Sequence, residues 1–350
     1  MSNLLENDAR RAAAFGEVLI DMVAINSGSL AEAEGFLKKF GGAPANTAVG
    51  LARLGVPVSF LGKIGDDPFG HFLQSTFQEN GVATDSLVLS PTEHTTLAFV
   101  SLTESGERDF IFQVGAHEKI EPDEVELPEH TFLFHFGSLT QVNSPAKEAT
   151  AKLIDQAQET GVIISYDPNI REAIWGDLER AKKTILETAK RVHILKVNEV
   201  EAAFLSGTND IQQAAQILFT DNLEVLLITL GEDGCYFKTK QLERHLTLPV
   251  QVTSIDTTGA GDAFNAGYIY AIHKLDKSIS EMSEDELVAA LNVAMVIAAL
   301  TTTQKGAITA FPTIREVEDF MPKSSIPDSS PQGLNAVITP DYPAGADSIL

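Results

Sequence analysis

The chain has a single cysteine, Cys235, in 350 residues. It cannot form an internal disulfide framework or a multi-cysteine metal site. Disulfides persist mainly in oxidising compartments, so a cytoplasmic location is expected. Positive charge is also scarce: 25 Lys and Arg against 49 Asp and Glu leave a net charge of -24. A general phosphate-backbone binder needs a basic face, so nucleic acid is not an expected partner. One basic pocket for a small anion remains possible. The acids are spread along the chain, for example over 118–129 and 281–286. They read as a solvated surface, or as adaptation to high salt, where screening relieves self-repulsion. No apolar run reaches the roughly 18 residues of a membrane span. The segment Met1 to Ala14 has no apolar core of a secretory signal, so no membrane partner is expected either. The eight histidines form no H-E-x-x-H, which argues against a catalytic zinc. G-x-x-x-x-G-K-[ST] is missing as well. G-x-G-x-x-G fails because position 264 is Phe, which disfavours both P-loop and Rossmann chemistry.

What is present is an ordinary globular composition, 44% hydrophobic, in a chain long enough to bury a large core. Phe15 to Ile20 reads as a buried strand. The runs 97–102 and 109–114 flank Glu104-Ser105-Gly106-Glu107 and read as a hairpin. Helices are expected over Ala45 to Leu54, with Pro44 near the first turn, and from Ser144-Pro145 to Gly161. Short apolar runs then alternate with helical periods: strands at 162–166, 194–197 and 224–230, and helices at 178–191, 199–205, 211–219, 261–273 and 284–302. This alternation from about residue 130 onwards predicts a parallel sheet covered by helices. The strand-rich first third suggests a small β-structure attached to it. Residues 321–350, rich in Pro, Ser and Gly, read as a tail.

Two segments carry chemistry. Asp256-Thr257-Thr258-Gly259-Ala260-Gly261-Asp262-Ala263-Phe264 opens a helix. Its glycines let a ligand approach the backbone, and unpaired N–H groups at a helix start attract negative charge. Asp262 at that start is either a cap or a base. Gly41-Gly42-Ala43-Pro44-Ala45-Asn46 likewise precedes a helix. Asn46 could offer both sides of its amide to a polyol, or the glycines could serve only a turn.

Gly41 to Gly55 and Asp256 to Phe264 resemble the two signature motifs of the ribokinase (PfkB) family of carbohydrate kinases. Further matches follow in order at 65–70, 167–171, 196–201 and 229–234. Within the family, 16–21 and 166–175 are most similar to fructokinases. The resemblance covers about residues 15–320. It implies a three-layer α/β sandwich with a mostly parallel sheet, and a small β-sheet lid from pieces near 17–37 and 95–115. It implies an ATP- and Mg²⁺-dependent kinase acting on the C6 hydroxyl of fructose. Kinases of ribose, a nucleoside or 2-keto-3-deoxygluconate, or a catalytically silent sugar binder, are the alternatives.

By the same resemblance Asp262 is the base, and Gly259, Ala260 and Gly261 line the anion hole. Asp21, Gly41, Gly42, Asn46, Asn169 and Arg171 would bind the sugar, with Arg171 bridging to phosphate. Asn198, Thr229, Gly231, Asn292 and Gly306 would contact ATP, and Glu199 would organise Mg²⁺, directly or through water. A potassium site would use Asp256, Thr258, Thr301, Gln304, Gly306 and Ala310. Bland readings stay open for several of these: a solvated Asp21, a surface Arg171, a helix-start Glu199 and a helix-surface Asn292. Phe110 and Phe112 either cover the sugar or pack within the lid. Relatives commonly dimerise lid to lid, so a homodimer is a possible assembly.

Overall fold

The computed structural model describes residues 10–102 and 108–320. The tail expected over 321–350 lies outside those residues. Along the chain come β1 (Arg11–Phe15), β2 (Leu19–Ala24), β3 (Phe36–Gly41) and α1 (Ala43–Arg53). Then follow β4 (Val58–Gly65), α2 (Pro68–Glu79), β5 (Leu87–Ser90), β6 (Leu97–Leu102), β7 (Arg108–Gln113) and β8 (Thr131–Phe136). Next are α3 (Ala146–Thr160), β9 (Ile163–Tyr166), α4 (Glu172–Trp175), α5 (Leu178–Ala189), β10 (Ile194–Asn198), α6 (Glu199–Ser206) and α7 (Ile211–Leu218). The chain continues through β11 (Val225–Thr229), β12 (Cys235–Lys238), β13 (Glu243–Leu246), α8 (Ala260–Leu275), α9 (Glu284–Thr301) and α10 (Ile314–Phe320).

Nine strands form one sheet in the order β13-β12-β11-β10-β9-β8-β1-β4-β5. It is parallel except at β12 and β13, which continue antiparallel from β11. The parallel sheet therefore begins at the first strand, and not only after residue 130. Alternation along each strand feeds two cores. Ala12, Ala14, Ile194, Val225 and Leu227 face α1, α8 and α9. Ala13, Phe15, Leu195, Val197, Leu226 and Ile228 face α3, α5, α6 and α7. A strand's side chains point alternately to opposite faces, so both layers are apolar and every central strand is buried.

The second sheet has four strands, β3-β2-β6-β7. Phe15 to Ile20, expected as one strand, is split between the two sheets. The chain leaves β1 at Gly16, where a Cβ would meet Pro44 Cγ at 2.6 Å. Apolar runs flank this point on both sides, and only Gly16 and Glu17 mark the exit. The strands of the small sheet reach residue 41, four past the expected lid piece. The expected hairpin is present as β6 and β7, paired Leu97 to Gln113 and Val100 to Phe110. The β2–β3 hairpin is inserted between β1 and α1, so it emerges at the carboxyl end of a central strand. Ligands of open α/β sheets gather at that end, where the strand order reverses.

Helix α8 lies between α1 and α9 at glycine distance. A Cβ on Gly50 would meet Ala266 Cβ at 2.8 Å, and one on Gly267 would meet Ala294 Cα at 2.8 Å.

Candidate active site

Two glycine-led helices, α1 and α8, start side by side. The N-cap of α8 is Gly259, left-handed at φ 80°, with no side-chain cap. That of α1 is Gly42, at φ 110°, also without one. At α8, Ala260 N–H donates to Thr257 O at 3.2 Å and Ala263 N–H to Gly259 O at 2.8 Å. Among the described residues this leaves the Gly261 and Asp262 N–H groups without a backbone acceptor. Such groups, at the positive end of the helix dipole, form a ready anion site.

Asp262 stands in that open turn, 7% exposed. Its Oδ2 accepts from Asn46 Nδ2 on α1 at 2.8 Å. Burial pushes its pKa up to about 7, with Asp167 adding to the rise, while the Asn46 bond and the charges of Lys196 and Arg171 pull down. A carboxylate poised there can accept a proton at neutral pH. Burial also raises Asp21 to about 6, against the pull of Arg171. Gly41 gives Asp21 its room: a Cβ at 41 would lie 2.3 Å from Asp21 Oδ2. In register, Asp21 pairs with Ala98, and Ala98 with Phe112. Phe112 therefore shares the lid face of Asp21, and Phe110, two residues away, stacks on it at 6.0 Å. Asn169, at φ 43°, donates its N–H to Asp167 Oδ1 at 3.2 Å. Arg171 is exposed and acts on Asp21 and Asp262 through its charge.

On the neighbouring strand ends, Asn198 pairs with Thr229, and Gly231 follows with φ 62°. Thr229 Oγ1 donates to Val197 O at 3.4 Å. The 303–307 loop closes on the glycine turn, since a Cβ on Gly259 would meet Ala307 Cβ at 2.8 Å. Asp256 ties the two segments: Oδ2 accepts from Gly306 N–H at 2.9 Å, and Oδ1 from Thr258 Oγ1 at 2.7 Å. Thr301 is buried with its hydroxyl on Ile297 O at 2.9 Å, Ala310 is buried, and Gln304 is exposed. Asn292 sits half-buried on α9, and among the described residues no hydrogen bond joins it to this group.

Glu199 is exposed at the first residue of α6. The buried acid of that turn is Glu201, 6% exposed. It accepts from Ile170 N–H at 2.7 Å and Asn198 N–H at 3.0 Å. The spacing of Asn198 and Glu201 is that of a capping box, the signal that could have singled it out. Sequence reasoning also passed over Asp167 and Lys196, a buried pair at 2.9 Å, and Asn265, whose Nδ2 donates to Asp167 Oδ2 at 2.7 Å. Glu17 was missed too: Oε1 accepts from Ala43 N–H at 3.0 Å, and burial raises its pKa to about 7.

A near-neutral buried carboxylate beside an open helix start is the equipment of a phosphotransferase with an alcohol acceptor. Residues 9–314 match the pfkB family carbohydrate kinase domain, and the chain belongs to that family. It is 41% identical over 313 residues to a probable fructokinase-4 of Arabidopsis thaliana, covering 88% of this chain and 95% of that one. It is 40% identical to fructokinase-1 of Zea mays, covering 89% and 97%. Among solved structures, a Vibrio cholerae fructokinase double mutant with fructose, ADP and potassium bound is similar at TM-score 0.80. That match has 31% identity and covers 89% of this chain and 98% of the other. An aminoimidazole riboside kinase of Salmonella enterica is similar at TM-score 0.76 and 30% identity, covering 89% and 99%. The chain is a sugar kinase of the fructokinase type.

Proposed function

We propose that the chain moves the γ-phosphate of ATP to the C6 hydroxyl of fructose, with Asp262 as the base. The observation that carries this is the buried Asp262 carboxylate inside the uncapped first turn of α8. Asp262 takes the hydroxyl proton as the sugar oxygen bonds to the γ-phosphorus. The bond from that phosphorus to the β,γ-bridging oxygen breaks, and ADP leaves. The transition state spreads charge over equatorial oxygens. The open amides of the 259–262 turn, those of Gly261 and Asp262, meet that charge without reorganising, a contribution of about 3 kcal/mol per donor. Asp21, Gly41, Gly42, Asn46 and Asn169 orient the sugar, and Arg171 spans sugar and phosphate. Asn198, Thr229, Gly231, Asn292 and Gly306 hold the nucleotide. The lid face of Asp21 and Phe112 excludes water from the closed site.

Among the described residues no three His, Cys, Asp or Glu side chains converge for a metal. That suits Mg²⁺, which keeps waters and binds phosphates with one or two carboxylates. When bound, Mg²⁺ neutralises phosphate charge. Glu199, exposed at the start of α6, and Glu201 beside it are the carboxylates that would hold Mg²⁺ through water. For potassium, Asp256, Thr258 and Gly306 are already drawn together. The carbonyls of 301–310, those of Thr301, Gln304 and Ala310 included, would complete the set. Among the described residues no helix is long and apolar enough to cross a membrane. We propose a lid-to-lid homodimer, for which Leu37, exposed on the Asp21 face of the small sheet, is a candidate contact.

The test is a panel of fructose, ribose, nucleosides and 2-keto-3-deoxygluconate with ATP, Mg²⁺ and KCl. Fructose should lead in kcat/KM, and NMR should show the phosphate on C6. A nucleoside leading would place the chain beside the riboside kinase. Fructose binding with no turnover of any acceptor would make it a silent sugar binder.

A further inference from the structure

Among the described residues, Lys196 is the one cation held inside the site by the sheet itself. Alternation along β10 puts it on the same face as Ile194, the face that packs against α8. Its ammonium lies 2.9 Å from Asp167 Oδ2, and both side chains are almost fully buried. A Cβ built on Gly261 would sit 2.9 Å from Lys196 Nζ. The ammonium therefore occupies the space under the glycine of the anion turn. Asp167 is held in turn by Asn265 of α8 and by the Asn169 N–H.

We infer that Lys196 is a positioning residue for phosphoryl transfer: locked on Asp167 beneath Gly261, it supplies the positive charge that keeps Asp262 a proton-accepting carboxylate. The polar and charged groups facing Asp262 are Asn46 from α1, Asp167 beyond β9, Arg171 ahead of α4, and Lys196 from β10. Of the two cations, Arg171 is exposed and screened by solvent, whereas Lys196 is buried and interacts at low dielectric. Burial by itself would drive the Lys196 proton off. Asp167, Glu201 and Asp262 outweigh it, so its pKa is raised and the charge stays. Asp167 opposes Lys196 in its effect on Asp262, and the two carry opposite signs at the same place.

That opposition gives the test, which rests on Asp262 being the base. In Lys196→Met the site loses a positive charge, while Asp167 keeps the hydrogen bonds of Asn265 and the Asn169 amide. The acid limb of the kcat/KM pH profile should then move up by about one pH unit. In Asp167→Asn the limb should move down, and in the double variant it should return near wild type. A merely structural role would lower activity at every pH and leave the limb in place. Carbon-13 NMR of labelled aspartate, with Asp262 assigned by its loss in Asp262→Asn, reads the same titration without turnover. If Lys196→Met does not fold, Lys196→Gln is read in the same way. Limbs and NMR titrations that stay unmoved overturn the inference. Turnover surviving in Asp262→Asn, with the NMR shifts intact, would instead overturn the base assignment and leave the charge coupling standing.

Discussion

Helices α8 and α9 pack against each other, yet they begin in opposite ways. Helix α9 starts at Ser283, whose hydroxyl accepts from Glu286 N–H at 3.3 Å, while Glu286 Oε2 accepts from Ser283 N–H at 2.9 Å. Three acids in its first turn complement the dipole. Asp67, Asp177, Asn198 and Asp210 cap α2, α5, α6 and α7 in the same spirit. Helix α8 begins on a left-handed glycine, and its one first-turn acid turns sideways to Asn46. A helix start closed by its own side chains keeps fewer donors for a ligand. The starts of α8 and α1 forgo that stabilisation, and both belong to the site. The two kinds meet at α6, whose start is capped by Asn198 and yet belongs to the proposed nucleotide site, whereas α8 and α1 are left open where sugar and phosphate are proposed to sit.

The sharpest way to break this contrast is Asp262→Asn. Turnover should fall by about 10²- to 10⁴-fold, the usual worth of a positioned base, in a coupled assay of ADP release. Next is Gly261→Ala. The added methyl meets the Lys196 ammonium, so about a 100-fold loss of kcat is expected, as for one disabled oxyanion donor. The third effect is on stability. Asp262 has a folded pKa near 7 against about 3.9 in an unfolded chain. Between those values the folded state binds more protons, so stability falls as pH rises, and the deficit is complete above pH 7. Asp262→Asn should therefore melt higher than wild type at pH 8, by about 2–4 kcal/mol, and the gain should vanish at pH 4. Smallest is Ser283→Ala, which should cost about 1 kcal/mol in a denaturant melt and leave kcat unchanged. Equal loss of turnover from Ser283→Ala and Gly261→Ala would erase the distinction between the two ends.

Most of the contrast is legible in the residues. Ser283 with Glu286 three positions on spells a cap, and Gly259 to Gly261 spells an open turn. Apart from α4, a single short turn that was not expected, strands and helices from Val162 to Leu230 fall within about two residues of their expected bounds, because each has a clean apolar period between polar breaks. The exit of the chain at Gly16 and Glu17 was hidden by apolar runs on both sides of it. The small sheet's β3 was hidden by Lys38 and Lys39, whose charge interrupts the pattern. Lys38 Nζ lies 3.5 Å from the Phe72 ring centre, a contact made only by the folded chain. The charges under the site were illegible for a like reason. Nothing in Lys196-Val197-Asn198 says that the lysine is buried, since its partner, Asp167, comes from another strand end.

Because α8 is held where no side-chain bulk intervenes, it behaves as a rigid shaft seated in two bearings, Gly50 on one side and Gly267 on the other. Asp262 rides at the tip of that shaft, five residues from the second bearing. A single methyl added at Gly267 must push Ala294 or tilt the shaft, and a tilt there is delivered to the tip as a displaced carboxylate. Reaction geometry is intolerant of shifts on the order of 1 Å. Engineers seeking to retune turnover can thus reach the reacting oxygen from mid-helix, without touching any group that meets the sugar.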